Sequence, residues 1–130
     1  MNWKIKIPTK TLRARTKSFK YAFQGLYDLL LTQPNARIHG VASLVAIFMG
    51  LFFQISSSEW YAVIVAIGMV WTAEAFNTAL EYLTDLVSPE YHPLAGKVKD
   101  VAAAGVLLAA ITALTLGVLV FGSKLMAYWG

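Results

Sequence analysis

The run "WYAVIVAIGMVWTAEAFNTALEYLTD", Trp60 to Asp85, decides the fold. Trp60 to Ala73 carries no charge, and then Glu74, Asn77, Glu81 and Asp85 come within twelve positions. Fourteen residues of helix cover only about 21 Å of a hydrocarbon layer roughly 30 Å thick. The run spans a bilayer only if Glu74 and some of the residues beyond it also lie in the membrane, so 60–87 is predicted as one span with a polar inner end. Steps of 3, 4 and 4 residues place the four polar groups within an arc of about 80°, on one face. Counted from Trp60 at the outer surface, Glu74 stays inside the apolar layer near its cytoplasmic boundary. Glu81, about 10 Å further along, reaches headgroups or water. A carboxylate in the apolar layer is expensive, and it usually faces a bundle interior and marks function. The plainer alternatives are a hydrogen bond from Glu74 to a neighbouring helix, and a solvated helix end for Glu81 and Asp85.

Two more windows are free of charge: Gly40 to Ser58, within a predicted span at 39–58, and Val101 to Ser123, within one at 100–123. Each meets the requirement of roughly 20 apolar residues. The "SSSE" before Trp60 reads as the turn Ser56 to Glu59 between the first two spans. The 130 residues are 58% hydrophobic and 14% charged, with a mean hydropathy of +0.59. Soluble domains run at about 25% charged. An all-α integral membrane protein forming one domain, 1–130, is expected. Without cysteine, disulfides, thiolate metal sites and a cysteine nucleophile are excluded.

Residues 1–20 hold seven cations (Lys4, Lys6, Lys10, Arg13, Arg15, Lys17, Lys20) and no acid, and they lead into no apolar stretch of the kind found in a cleavable signal peptide. Excess Lys and Arg stay cytoplasmic. The N-terminus is therefore expected inside and the 88–99 loop, with Lys97 and Lys99, inside as well. Behind a basic tail at 1–8, residues 9–32 are predicted as a surface helix: Leu12, Phe19, Phe23, Leu26 and Leu30 make one apolar stripe. Arg13, Lys17 and Lys20 lie on another face, suited to an anionic lipid surface. The same helix also suits a plain anchor. Beside three spans, such a surface is a simpler partner for the basic tail than nucleic acid, which is not expected. Pro34 ends the helix.

The segment "SPEYHPLAGKVKD", Ser88 to Asp100, brings Glu90, His92, Lys97, Lys99 and Asp100 to the inner end of the polar stripe. Hard carboxylate oxygens suit Mg²⁺, which keeps waters and phosphates in its shell, and Lys is a compact cation for phosphate oxygens. Neither a Walker A sequence nor G-x-G-x-x-G is present. The residues alone reach a phosphate or ion site at the inner surface.

The pattern "EAFNTALE…D…EYHPLAGKVKD", with "KSFKYAFQGL" and "NARIH" before the first span, resembles the prokaryotic diacylglycerol kinase family, which includes undecaprenol kinases. The resemblance covers about residues 17–117, and the E-x-x-N-x-x-x-E core at these offsets is highly specific. It implies a homotrimer of three-span subunits with shared active sites, in the bacterial cytoplasmic membrane, phosphorylating a lipid alcohol with Mg²⁺ and ATP. It further implies Glu74 as general base, with Asn77 beside it holding the reacting groups and the lipid substrate, and Glu81 as a metal ligand. Tyr21, Asp85, Glu90, Tyr91, His92, Lys99 and Asp100 fall on the nucleotide site together with Glu81 and Gln33, and Arg13 or Arg15 matches an arginine of the family. One departure stands out: the family's second metal-binding glutamate is Gln33 here, whose amide oxygen brings no formal charge, with Asp28 a distant substitute.

Gly105, Ala109, Ala113 and Gly117 form a small-residue ridge on the third span, for packing between subunits or within one. Trp60 reads as an interfacial anchor. The competing function class is a non-catalytic membrane adaptor or a small ion-conducting helical bundle, for which the "EYH…KVKD" cluster has no use.

Overall fold

The computed structural model describes the backbone from Leu12 and the side chains from Arg15 to Gly130. The predicted basic tail 1–8, the start of the predicted surface helix at 9–11 and the Arg13 side chain lie outside the described residues. Among the described residues four helices run in order: α1 (Leu12–Thr32), α2 (Pro34–Phe52), α3 (Ser57–Val87) and α4 (Pro93–Trp129). The last three are long and apolar enough to cross a membrane, as the all-α expectation required. The 19 residues of α2 cover about 28 Å, barely the hydrocarbon layer, whereas α3 and α4 overrun it.

Helix ends differ from the spans drawn by hydropathy, each for a local reason. Only Gln33 separates α1 from α2. Pro34 lacks the N–H that would continue α1 but suits the first position of a new helix, so α2 starts there and not at 39. Arg37 reaches back, with Nε donating to the Leu30 carbonyl at 2.8 Å and Nη2 to that of Leu31, which satisfies the end of α1. At the other end α2 stops at Phe52, short of 58, and Gln54 turns the chain with φ 50°. The predicted turn at Ser56–Glu59 moves earlier, because Ser56 and Glu59 form a capping box that opens α3. The Ser56 N–H donates to Glu59 Oε2 at 2.7 Å, and the Glu59 N–H to Ser56 Oγ at 3.4 Å.

The predicted loop 88–99 is corrected more substantially. Pro93 is helical, and the Leu94 N–H donates to His92 Nδ1 at 3.1 Å, so α4 begins there and places Lys97, Lys99 and Asp100 on a helix. A proline bracket marked the start of a helix, where its missing N–H costs nothing. At the far end α4 continues to Trp129, beyond the predicted limit at 123.

The core lies at the end of the spans that carries the α2–α3 turn, where Ile55, Val63, Val120 and Phe121 pack with Met49, Phe53, Trp60 and Ile67. Lys124 Nζ to Glu59 Oε1, 2.8 Å, ties α4 to α3 there. Gly50 permits a close approach: a Cβ at this position would sit 2.7 Å from the Trp60 ring. Leu44, Phe48 and Leu51 of α2 and Leu114 and Leu119 of α4 are exposed, while Glu74, Asn77 and Thr78 are buried. Apolar outside and polar inside is the distribution a lipid solvent favours. The apolar stripe of α1 stays open at Phe19, Phe23, Leu26 and Leu30, and Leu29 is the buried residue of that helix among those described. Of the small-residue ridge, Ala109 is buried within the chain and Ala113 and Gly117 partly so, whereas Gly105 is exposed.

Candidate active site

The site is set by the register of α2 on α3. Trp71 Nε1–H donates across to Ser43 Oγ at 3.1 Å, and Ser43 Oγ–H donates to the carbonyl of His39 at 2.7 Å. The Trp71 ring packs against Gly40, 3.6 Å from where a Cβ would stand, an ordinary contact distance. Trp71 lies three residues before Glu74 and Ser43 four after His39, so this one contact brings His39 opposite Glu74. His39 Nε2 and Glu74 Oε2 are 3.9 Å apart, within ion-pair range and beyond a hydrogen bond.

Glu74 is 1% exposed. Its Oε2, together with His39 Nε2, Asn77 Oδ1 and Thr78 Oγ1, is buried without a hydrogen-bond partner. Buried polar groups are nearly always paired, because an orphan forfeits its hydration for nothing. Four orphans on neighbouring turns of α2 and α3 leave unspent hydrogen-bonding capacity, suited to a polar group arriving from elsewhere.

Along α3 the polar face opens stepwise. Asn77 Nδ2 donates to Glu81 Oε1 at 3.0 Å, Glu81 is half-buried, and Asp85 is exposed and paired with Lys99 of α4. Tyr82 joins α1 to this end of α3, its hydroxyl donating to Asp28 Oδ2 at 2.8 Å and lying 3.1 Å from Thr32 Oγ1. Asp28 thus stands beside the neighbour of Glu81, its carboxylate already engaged. Gln33 is half-buried at the α1–α2 break and makes no side-chain cap there. Lys97 lines a groove of about 540 Å³ between α3 and α4 with Asn77 and Leu80.

The structure therefore gathers Glu74, Asn77, Glu81, Asp85 and Lys99 into one descending line. It does not draw in the rest: Tyr21 is exposed on α1, Tyr91 is 91% exposed, and Glu90, Asp100 and Arg15 face outward. His92 is spent in part on capping α4. Among the described residues no three acidic, His or Cys side chains converge as a metal cage. Sequence reasoning missed His39 and Thr78. A histidine inside "NARIH", before an apolar span, was the one available signal.

Comparison with known proteins places the chain in a family. A family model described as prokaryotic diacylglycerol kinase matches residues 20–121. The chain is 34% identical over 109 residues to an undecaprenol kinase of Bacillus subtilis, covering 84% of this chain and 89% of that one. It is 31% identical over 97 residues to a diacylglycerol kinase of Escherichia coli K12, covering 75% and 80%. A diacylglycerol kinase of Synechocystis is 38% identical over 101 residues, 77% of this chain and 58% of that one. The polar face of α3, the apolar helices that carry it and these matches lead to one conclusion: the chain belongs to the prokaryotic diacylglycerol kinase family, and its enzyme class is lipid kinase.

Proposed function

We propose that the chain transfers the γ-phosphoryl group of ATP to the hydroxyl of a membrane lipid alcohol, undecaprenol before diacylglycerol, with Glu74 as general base. The observation that carries this reading is the buried carboxylate of Glu74, whose Oε2 has no hydrogen-bond partner, about 21 Å along α3 from Trp60 and so inside the apolar layer near its boundary, within reach of a lipid hydroxyl. Family membership supports an enzyme over the adaptor or ion-conducting bundle. The substrate oxygen attacks the γ-phosphorus as Glu74 accepts its proton. The new O–P bond forms, the bond from the γ-phosphorus to the bridging oxygen breaks, and ADP leaves. Proton removal at a water-poor, preorganised site is where a carboxylate contributes most.

Mg²⁺ would be held by Glu81, with Gln33 as a neutral ligand. Glu81 is half-buried and the Gln33 amide is not used in capping, and Mg²⁺ needs only one or two protein oxygens when phosphates and waters fill its shell. When bound, it supplies charge neutralisation for the triphosphate. Asn77 holds Glu81 by its amide and presents its free Oδ1 toward the reacting groups. Lys99, tied to Asp85, offers a cation to phosphate oxygens, and Glu90, Tyr91, His92, Asp100 and Tyr21 border the nucleotide from the cytosolic side. The remaining parts of the reading are α1 lying on the anionic inner surface, a cytoplasmic N-terminus in the bacterial inner membrane and a homotrimer with shared sites. The exposed apolar stripe of α1 and its cations support the first of these.

The test is side-by-side incubation of the purified protein in vesicles with labelled ATP, Mg²⁺ and either undecaprenol or diacylglycerol. Labelled undecaprenol formed at the higher kcat/KM is expected. Label in neither lipid would sink the proposal.

A further inference from the structure

His39 has none of these roles, yet it is the residue of α2 that faces Glu74, at 3.9 Å. We propose that His39 binds the substrate alcohol, its Nε2–H donating to the hydroxyl oxygen while that hydroxyl donates its own proton to Glu74 Oε2. This rests on the kinase reading of the site and adds the group that recognises the hydroxyl.

The geometry fits a single oxygen. A hydroxyl making two hydrogen bonds of about 2.8 Å at a tetrahedral angle holds its partners about 4.6 Å apart. From 3.9 Å, the pair has to open by about 0.7 Å, a small side-chain rotation. Both atoms are buried and unpartnered, so the arriving hydroxyl replaces no existing bond. The chemistry also selects. One acceptor and one donor match a neutral alcohol, whereas an anion would meet the Glu74 carboxylate.

An apolar route leads to the same place. His39 lines a cavity of about 370 Å³ between α2, α3 and α4 that runs toward Phe121, with small residues Ala42, Ala46, Ala66 and Ala110 along its walls. A hydrocarbon chain in that cavity would bring its terminal hydroxyl to His39. Ser43, also on the wall, already donates to the His39 carbonyl.

The experiment uses the full chain in vesicles with undecaprenol, ATP and Mg²⁺. His39→Leu should raise the KM for undecaprenol about tenfold, the worth of one lost hydrogen bond, with the KM for ATP unchanged. His39→Gln, which keeps an N–H at the same reach, should hold the undecaprenol KM within about threefold of wild type. An unchanged undecaprenol KM in His39→Leu overturns the assignment, as does a loss of kcat alone, which would mark His39 as positioning Glu74 only. If His39→Leu does not fold, the wild type decides: undecaprenol should protect His39, and not His92, from diethylpyrocarbonate, read by mass spectrometry. Equal protection, or none, overturns it. Wild-type protein that labels no lipid alcohol brings down the kinase reading itself, an outcome distinct from an active wild type with an indifferent His39.

Discussion

Replacing Glu74 by Gln should move activity and stability in opposite directions. The substitution preserves shape and removes both the base and the charge. A positioned general base contributes about 10²–10⁴ in rate, or about 2.7–5.4 kcal/mol at 1.36 kcal/mol per decade. The folded state gains instead. The side chain is 1% exposed, its Oε2 accepts no hydrogen bond, and the facing His39 Nε2 is 3.9 Å away. A buried carboxylate without a partner costs several kcal/mol and an amide in its place roughly 1–3, so Glu74→Gln should stabilise by on the order of 1–3 kcal/mol. Phosphoryl transfer from labelled ATP to undecaprenol, ATP binding by isotherm and thermal unfolding in detergent read the three quantities on one preparation. Turnover should fall by about 10²–10⁴, ATP affinity should hold, and the unfolding midpoint should rise. Residual activity near wild type refutes the base assignment. A lower midpoint refutes the reasoning about burial, since the carboxylate would then be holding α2 to α3 through His39.

Gly50→Ala places a Cβ 2.7 Å from the Trp60 ring and 3.1 Å from Ile55; overpacking of this kind costs about 1–3 kcal/mol, and an unchanged unfolding midpoint would contradict the close approach. Gln33→Glu adds a charged oxygen at the α1–α2 break and should lower the Mg²⁺ concentration for half-maximal rate; no change removes Gln33 from the metal site. Trp71→Phe deletes the 3.1 Å bond to Ser43, worth about 0.5–1.5 kcal/mol, and should cut kcat more than the KM for ATP because the His39–Glu74 register loosens. Additivity with Ser43→Ala in a double-mutant cycle would show that the two groups do not interact.

Much of the site was legible along the chain. Glu74, Asn77, Glu81 and Asp85 share one helix, so their common face comes from spacing alone, and the burial of Glu74 grading to the exposure of Asp85 comes from where hydropathy falls away. The loop reading failed at Pro93 because a proline signals both a break and a beginning. Only the cap made by His92 Nδ1 decides between them. Gln54, at φ 50°, and the Ser56–Glu59 box likewise moved the α2–α3 turn by a few residues.

The sequence by itself determined the number of apolar helices, the polar face of α3 and the family, since each depends on residues close along one chain segment and on helical periodicity. Tertiary structure alone decided that His39 meets Glu74, that Thr78 is buried, and that Tyr82 ties Asp28 to the C-terminal end of α3. Which faces of separate helices meet is set by packing across 35 or more positions of the chain, as from His39 to Glu74. No local pattern carries that information, and a lone histidine before an apolar run looks the same whether or not a carboxylate waits across the interface.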